Sequence, residues 1–354
     1  MKFKINSKRL ASALNKVASV IERRNTIPIL SNVYVSASTD GIHIEGTDLD
    51  TVCRVRISDV VVQQDGEATI NAAKLTDSIK RLPDGDCDIE VKDGHAVVKQ
   101  KRSRFKIATL DASDWPVQKF GDFRQLATVD GDYLKEVNAK VGYCVSQEEA
   151  RYYLQGVNWC LVDGNVVNVA TDGHRLGNIV TPIEYDGELN IIVPRKATSE
   201  SAKLEGAVKV EFNDGAIRFT SDDTILTSKL IDGTFPDWQR VIPQGNDKHV
   251  VIDSASLAGA VGRVQAVQDG VGSGIKVRIK DNELSLSLKT QLDEADETID
   301  VESNIELDIG VNYKYLAEAM SKFDGNVTAK FSDGNYPMIF EKDNYLSLIM
   351  PMRV

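Results

Sequence analysis

The 354 residues exceed what one ordinary core organises, so two or three domains are expected. A hydrophobic content of 42% beside 27% charged residues, with no apolar run near the roughly 18 residues of a membrane span, excludes the disordered and helical-membrane classes. The net charge of −11 speaks against a nucleic-acid partner only if the charge is evenly spread.

From the start of the chain, Met1-Lys-Phe-Lys leads straight into a strand with no secretory segment, so a cytoplasmic protein is expected. The stretch that follows is written three times. Lys4-Ile-Asn-Ser-Lys-Arg-Leu-Ala-Ser-Ala-Leu returns as Thr128-Val-Asp-Gly-Asp-Tyr-Leu-Lys-Glu-Val and as Val251-Ile-Asp-Ser-Ala-Ser-Leu-Ala-Gly-Ala. Each copy is a strand end, a polar cap and then apolar residues at helical spacing: Leu10, Ala13, Val17; Leu134, Val137, Val141; Leu257, Ala260, Val264. The leucines are offset by 124 and 123 residues, which is the mark of one domain repeated three times.

Each repeat carries a second, shorter helical signal: Leu75, Ile79, Leu82; Ala197, Ser201, Leu204; Leu316, Met320, Phe323. An apolar strand precedes each, and Asp84-Gly85, Glu205-Gly206 or Asp324-Gly325 follows. Hairpin turns are predicted at Asp40-Gly41, Asp93-Gly94, Asp163-Gly164, Asp214-Gly215, Asp281-Asn282 and Asp333-Gly334, because these residues tolerate positive φ. Each domain thus reads strand–helix–three strands, twice over. The fold class is α+β, with two helices laid on antiparallel sheets in each of three domains, 1–124, 125–247 and 248–354.

The charge is not evenly spread. Residues 7–24 carry a net +4, 73–82 carry +2, 130–143 carry −1, 194–204 carry +2, and 254–266 and 312–322 carry +1 each. Helical faces that sum to +9 on a body of −20 suit a protein that holds a polyanion by its phosphates and repels it elsewhere. Ordinary solvated helix faces are the bland alternative. The strand Val97-Val-Lys-Gln-Lys-Arg-Ser-Arg-Phe-Lys-Ile107 is strongly basic, and Leu292-Asp-Glu-Ala-Asp-Glu-Thr-Ile-Asp-Val-Glu302 is strongly acidic. These are either protected edges or two halves of a heterologous contact between copies of the chain.

Cys53, Cys87, Cys144 and Cys160 form no CxxC pair, so buried reduced thiols are expected. His43, His95, His174 and His249 are equally dispersed and give a zinc site little support. Three segments have no repeat explanation: Ala170-Thr-Asp-Gly-His-Arg-Leu176, Phe235-Pro-Asp-Trp-Gln-Arg-Val241 and Ile349-Met-Pro-Met-Arg-Val354. Asp172 and His174 form a possible acid–base pair, but no nucleophile or second carboxylate lies at a useful spacing. As a surface, Leu, Pro, Val and Met with a few Arg describe an apolar groove with a charged rim, suited to a short peptide with hydrophobic anchors.

These segments, with Arg24-Asn-Thr-Ile-Pro-Ile-Leu30, Gly46-Thr-Asp-Leu49 and Arg151-Tyr-Tyr-Leu154, resemble the bacterial DNA polymerase III beta subunit, the sliding clamps, over essentially the whole chain. The resemblance implies three clamp domains per subunit and a head-to-tail homodimeric ring around duplex DNA, with helices lining the hole. It implies a processivity factor with no catalytic site and no cofactor, near the nucleoid during replication. Its partners would be double-stranded DNA without sequence preference, a second copy, the replicative polymerase, the clamp loader and other clamp-binding proteins. By resemblance, the peptide cleft falls on Leu154, Thr171, Gly173, His174, Arg175, Leu176, Pro236, Arg240, Val241, Leu348, Ile349, Met350, Pro351, Met352 and Arg353. DNA contacts fall on Arg24, Tyr152, Tyr153 and Lys196, and the dimer contact on Phe105 and Ile107 against Ala266 and Val267. A repeat scaffold that binds proteins without enclosing DNA is the alternative, and a hydrolase using Asp172 and His174 is a third class.

Overall fold

The computed structural model describes every residue except 23–25, 269, 271 and 304. Among the described residues six α-helices are formed: α1 (Ser7–Ala18), α2 (Ala72–Lys80), α3 (Gly131–Lys140), α4 (Arg195–Ser201), α5 (Ser254–Val264) and α6 (Tyr313–Met320). Each follows a strand and precedes three more in sequence, with one additional strand, Val61–Gln64, in the first repeat. The same device starts most of them. Asn6, Asn71, Asp253 and Asn312 each turn a side-chain oxygen onto backbone N–H groups of the first helical turn. That satisfies donors that have no partner inside the helix. The Gly at the exits of the second helices adopts positive φ at Gly85, Gly206 and Gly325, where a side chain would be strained.

By contacts the chain divides into two compact units, 1–135 with 196–230, and 136–195 with 231–354, so the middle repeat contributes to both. The first unit is built on one antiparallel sheet of thirteen strands. It runs from Arg124–Asp130 through Ala207–Phe212, Ala216–Thr220 and Thr224–Lys229 to Thr51–Ile57, Gly41–Thr47, Asn32–Ser38 and Gly66–Asn71. It then continues through Ser103–Leu110, His95–Gln100, Asp86–Lys92 and Lys2–Asn6 to Val61–Gln64. Helix α1 buries Leu10, Ala13, Leu14 and Val17, spacings of three and four that form one stripe. Gly46 lets α1 come close: a Cβ there would meet Val17 at 2.6 Å.

The second unit holds an eight-stranded antiparallel sheet and a four-stranded one. In the eight-stranded sheet Arg175–Thr181 of the middle repeat pairs with Tyr345–Ile349 of the last. Helices α5 and α6 pack over a large core that includes Leu257, Val264, Leu316, Met320 and Phe340.

The hairpin expectation holds in part. Positive φ is found at Asp93-Gly94, Asp163-Gly164 and Asp281-Asn282, but at Asp40-Gly41 only the glycine adopts it. It is absent at Asp214-Gly215 and Asp333-Gly334. There a side chain closes the turn instead: Asn213 Oδ1 accepts from the N–H groups of Gly215 and Ala216 at 3.0 and 2.8 Å. Asp333 Oδ1 likewise accepts from Asn335 N–H at 2.7 Å. Asn and Asp build such turns without left-handed backbone.

Candidate functional site

In the second unit, strands Asn165–Thr171 and Arg175–Thr181 are joined by a turn whose sequence dictates its shape. Thr171 Oγ1 accepts from Gly173 N–H at 3.1 Å and donates to the Arg175 carbonyl at 2.6 Å. Asp172 Oδ1 accepts from the N–H groups of His174 and Arg175 at 2.9 and 3.1 Å. Short polar side chains that bond their own backbone fix the loop, and Gly173 supplies the φ of 90° that closes it.

Arg175 locks that turn to the body. Its Nε donates to Asp172 Oδ2 at 3.0 Å, its Nη2 to the Tyr143 carbonyl at 2.9 Å, and its Nη1 to Glu318 on α6. The guanidinium lies between the rings of Tyr143 and Tyr315, 5.0 and 4.5 Å from their centroids. Burial works against its charge, but the bond to Glu318 and the field of Asp172 outweigh that and raise its pKa above the usual arginine value. His174 stacks on Tyr315 with ring centroids 6.4 Å apart, and its carbonyl accepts from Met350 N–H at 2.9 Å.

Beside the turn lies an apolar cluster: Leu154, Val169, Leu176, Ile192, Phe235, Ile339 and Leu348, with Tyr153, Trp238 and Ile242 packed at its margin. Leu176 and Leu348 face each other across paired strands. The C-terminal segment runs on from there. Met352 N–H donates to the Gly310 carbonyl at 2.8 Å, and a Cβ on Gly310 would meet the Met352 carbonyl at 2.2 Å, so only glycine fits beneath the tail. Met350, Met352 and Val241 remain exposed, as do Pro236, Gly173 and His174. The result is a buried apolar floor with flexible thioethers and a few polar groups at its rim, which suits hydrophobic side chains from an extended segment. It does not suit hydrolysis. The Asp172 carboxylate is consumed by its own turn and by Arg175, and His174 stacks on an aromatic ring rather than bonding it.

Family models of the DNA polymerase III beta subunit match the chain in series: the N-terminal domain at residues 1–119, the central domain at 128–237 and the C-terminal domain at 239–353. The chain belongs to the DNA polymerase III beta subunit family. The beta sliding clamp of Pseudomonas aeruginosa is 35% identical over 370 residues, covering 100% of both chains. Among solved structures, a sliding clamp from Bartonella birtlesii bound to griselimycin superposes with a TM-score of 0.95 at 30% identity, again with 100% of both chains covered. The beta subunit from P. aeruginosa does so with a TM-score of 0.95 at 33% identity.

Against the family's expected cleft, the structure gathers Leu154, Leu176 and Leu348 into the floor. Thr171, Gly173 and His174 sit in the adjoining turn, Pro236, Arg240 and Val241 on the segment anchored by Phe235 and Trp238, and Met350, Pro351, Met352 and Arg353 along the tail. Two residues of the expected cleft have side chains that turn away from the groove. Arg175 is turned inward, its side chain 12% exposed, because three acceptors and two rings enclose it. Ile349 points into the core of the last repeat, opposite in direction to Leu348, as alternation along a strand requires. Sequence reasoning missed Tyr143, Tyr315 and Glu318, which hold the turn, and Val169, Ile192 and Ile339 in the floor. The last three were marked only by strand alternation.

Of the expected DNA contacts, Arg24 lies outside the described residues. Tyr152 is exposed and Tyr153 half-buried, edge to face at 5.7 Å on the 3-10 turn Glu149–Leu154. Lys196 is not a free cation: its Nζ donates to the Val20 carbonyl at 2.6 Å and to the buried carboxylate of Asp48. The basic face of α1 is also largely paired, Lys8 with Asp84 at 2.8 Å, Arg9 with Asp59, and Lys16 with Asp223 at 2.9 Å. Lys74, Lys80 and Arg81, by contrast, are exposed on and just after α2 without an ion pair among the described residues.

For the dimer contact, Phe105 is half-buried and Ile107 buried on Ser103–Leu110. Residues 103–108 of that strand pair with His95–Gln100, but on its other side only Thr109 and Leu110 are paired among the described residues, so the stretch 103–108 is an open edge there. Ala266 is exposed and Val267 half-buried in the turn Gln265–Val267, next to the acidic strand Glu294–Asp300, which is the outer strand of the four-stranded sheet.

Proposed function

We propose that two copies of this chain close head to tail into a ring around duplex DNA and tether the replicative polymerase through the cleft. What carries the proposal is the succession of three clamp-domain matches along the whole chain. The two open strand edges support the closure. One edge bears Arg104 and Lys106 beside Lys99, and the other bears Asp296 and Asp300, all five outside any ion pair among the described residues. An open edge needs a partner or protection, and opposite charges make each the other's complement.

Inside such a ring topology retains the DNA, so phosphate contacts can be weak and interchangeable. They carry no sequence information, which permits sliding. Lys74, Lys80 and Arg81 are the cations best placed for that task, with Tyr152 and Tyr153 as secondary contacts. Polymerase, loader and other partners would compete for one apolar cleft per subunit. The protein performs no chemistry of its own in this scheme and works in the cytoplasm. Deleting residues 350–354 tests the cleft: a polymerase tail peptide should no longer bind while the dimer persists, and undiminished binding would refute the assignment.

A further inference from the structure

In each repeat a four-residue turn leads into the third strand after the first helix, and one device closes all three turns. The N–H groups of Asp50 and Thr51 donate to Asp48 Oδ1 at 3.0 and 2.7 Å, as those of His174 and Arg175 do to Asp172. Those of Leu292 and Asp293 donate to Thr290 Oγ1 at 3.3 and 2.9 Å. Leu49 holds a φ of 79° where Gly173 holds 90°. Thr47 with Val52, Thr171 with Leu176 and Lys289 with Glu294 bracket the turns, so Val52, Leu176 and Glu294 are equivalent positions.

Twice this third strand joins, edge to edge, the last strand of the following repeat. Inside the first unit Thr51–Ile57 pairs antiparallel with Thr224–Lys229, with Val52 opposite Thr227. Inside the second, Arg175–Thr181 pairs antiparallel with Tyr345–Ile349, with Leu176 opposite Leu348. Both joints carry the same bond: Lys229 N–H donates to the Asp50 carbonyl at 2.8 Å, as Met350 N–H does to that of His174. Two strands are left over, Glu294–Asp300 of the last repeat and Ser103–Leu110 of the first, and both keep open edges. Ser103 follows a two-residue turn from Gln100 as Tyr345 follows one from Lys342, so Lys106 is the equivalent of Leu348.

We propose that closure between copies repeats the internal joint, antiparallel, with Lys106 opposite the partner's Glu294 and Arg104 opposite the partner's Asp296. It rests on the ring closure proposed above and fixes its register. Phe105 then meets the partner's Ala295, and Ala108 N–H reaches the partner's Leu292 carbonyl. That N–H is turned to the open side, because the next one, of Thr109, donates to Gly94 within the sheet.

Charge selects the same register independently. Arg104 and Lys106 share the exposed face of their strand, and Glu294, Asp296 and Asp300 that of theirs, while Phe105, Ile107, Ala295 and Ile299 turn to the other face. A slip of one residue would set charge against core. A slip of two sets Arg104 against Thr298 or Lys106 against Leu292, so within the strand Glu294–Asp300 only this register gives both cations a carboxylate. The neighbouring charges agree with it. Lys99 stands directly opposite Arg104 in its own sheet, a like charge that Asp296 would offset, and Arg102 falls beside Asp300. Glu294 already has Lys289 at 3.1 Å, but in a pair whose side chains are 72% and 51% exposed and so weakly held. Neither internal joint sets opposite charges face to face. The closing joint alone reads charge, which makes it specific for its own kind.

The test reverses one edge at a time in the full chain: Arg104→Glu with Lys106→Glu, or Glu294→Lys with Asp296→Lys. Each variant alone confronts like charges at both joints, and its dimer should weaken about tenfold or more, read by sedimentation across concentration. Mixed, the two confront opposite charges at both joints and should recover the wild-type affinity, which also shows that both are folded. Register is read by oxidation. Phe105→Cys with Ala295→Cys should crosslink into a denaturant-resistant dimer, and Phe105→Cys with Glu297→Cys should not. A wild-type chain still monomeric at about 10 μM would overturn the ring reading and the register together. A wild-type dimer with undiminished variants, a mixture that does not recover, or crosslinking that fails at 295 or succeeds equally at 297 would overturn the register alone.

Discussion

The turns at 47–51 and 171–175 share a hydrogen-bond frame and differ in almost everything placed on it. Asp172 spends its second oxygen on Arg175, three residues on, and Arg175 is clamped between two tyrosines. Asp48 spends its second oxygen on Lys196, far along the chain at the head of α4. The floor beside one turn is Leu, Ile, Val and Phe, and beside the other Glu45, Thr227 and Val52 lie under Trp115. The frame comes from Thr and Asp bonding their own backbone. The binding character comes from side chains on neighbouring strands, so a repeated scaffold can carry two different surfaces.

The largest difference between the turns should appear on removing what locks them. Arg175→Ala leaves Asp172 and Glu318 without their cation and should cost about 3 kcal/mol, read by urea unfolding. Thr51→Ala, at the matching position, breaks only a hydroxyl contact of 3.3 Å to Ser228 and should cost about 1 kcal/mol. Equal losses would break the comparison. Lys196→Ala should fall between them, at about 2 kcal/mol, because Asp48 is then buried with an unpaired oxygen. A DNA-retention defect in that variant accompanied by no loss of stability would show that the Asp48 bond is not made in solution.

Backbone substitutions give the next smaller effect. Gly173→Ala should cost about 1 kcal/mol through its positive φ. Leu49→Gly relieves a similar strain but removes a side chain packed against Ile29, Leu30 and Trp115, so the net change should stay within about 1 kcal/mol. A large loss there would mean that packing dominates strain at that turn.

The smallest effect is expected from the thiols. Burial pushes Cys53 in one unit and Cys144 in the other up to about 12, and Cys87 to about 11, and it raises Cys160 as well. Ellman's reagent at pH 8 should therefore modify none of the four in the native protein and all four in guanidinium. Selective reaction of one would mark local opening around it.

Much of the fold could be read from the chain because periodicity survives repetition. Leu10, Leu134 and Leu257 announce three copies of one helix on one kind of sheet. The cleft was legible where residues act by type and exposure: Met350, Met352 and Val241 are apolar and could not all be core. The partners of Arg175 and Lys196 were not legible, because a charged residue in sequence carries no sign of what it bonds. Their carboxylates, rings and carbonyl acceptors come from segments far away in the chain. The same blindness hid the ion pairs of Lys8, Arg9 and Lys16, and it left the cations of α2, which have no ion pair among the described residues, undistinguished from the rest.

The central claim is enclosure of DNA by a closed ring, and topology tests it most directly. The chain is loaded with a clamp loader and ATP onto nicked circular DNA, separated from free protein by gel filtration, and the DNA is then cut once with a restriction enzyme. Retention on the circle and loss within the time of sliding off the cut ends is the predicted result. Equal retention on circular and linear DNA, or none on either, would contradict it.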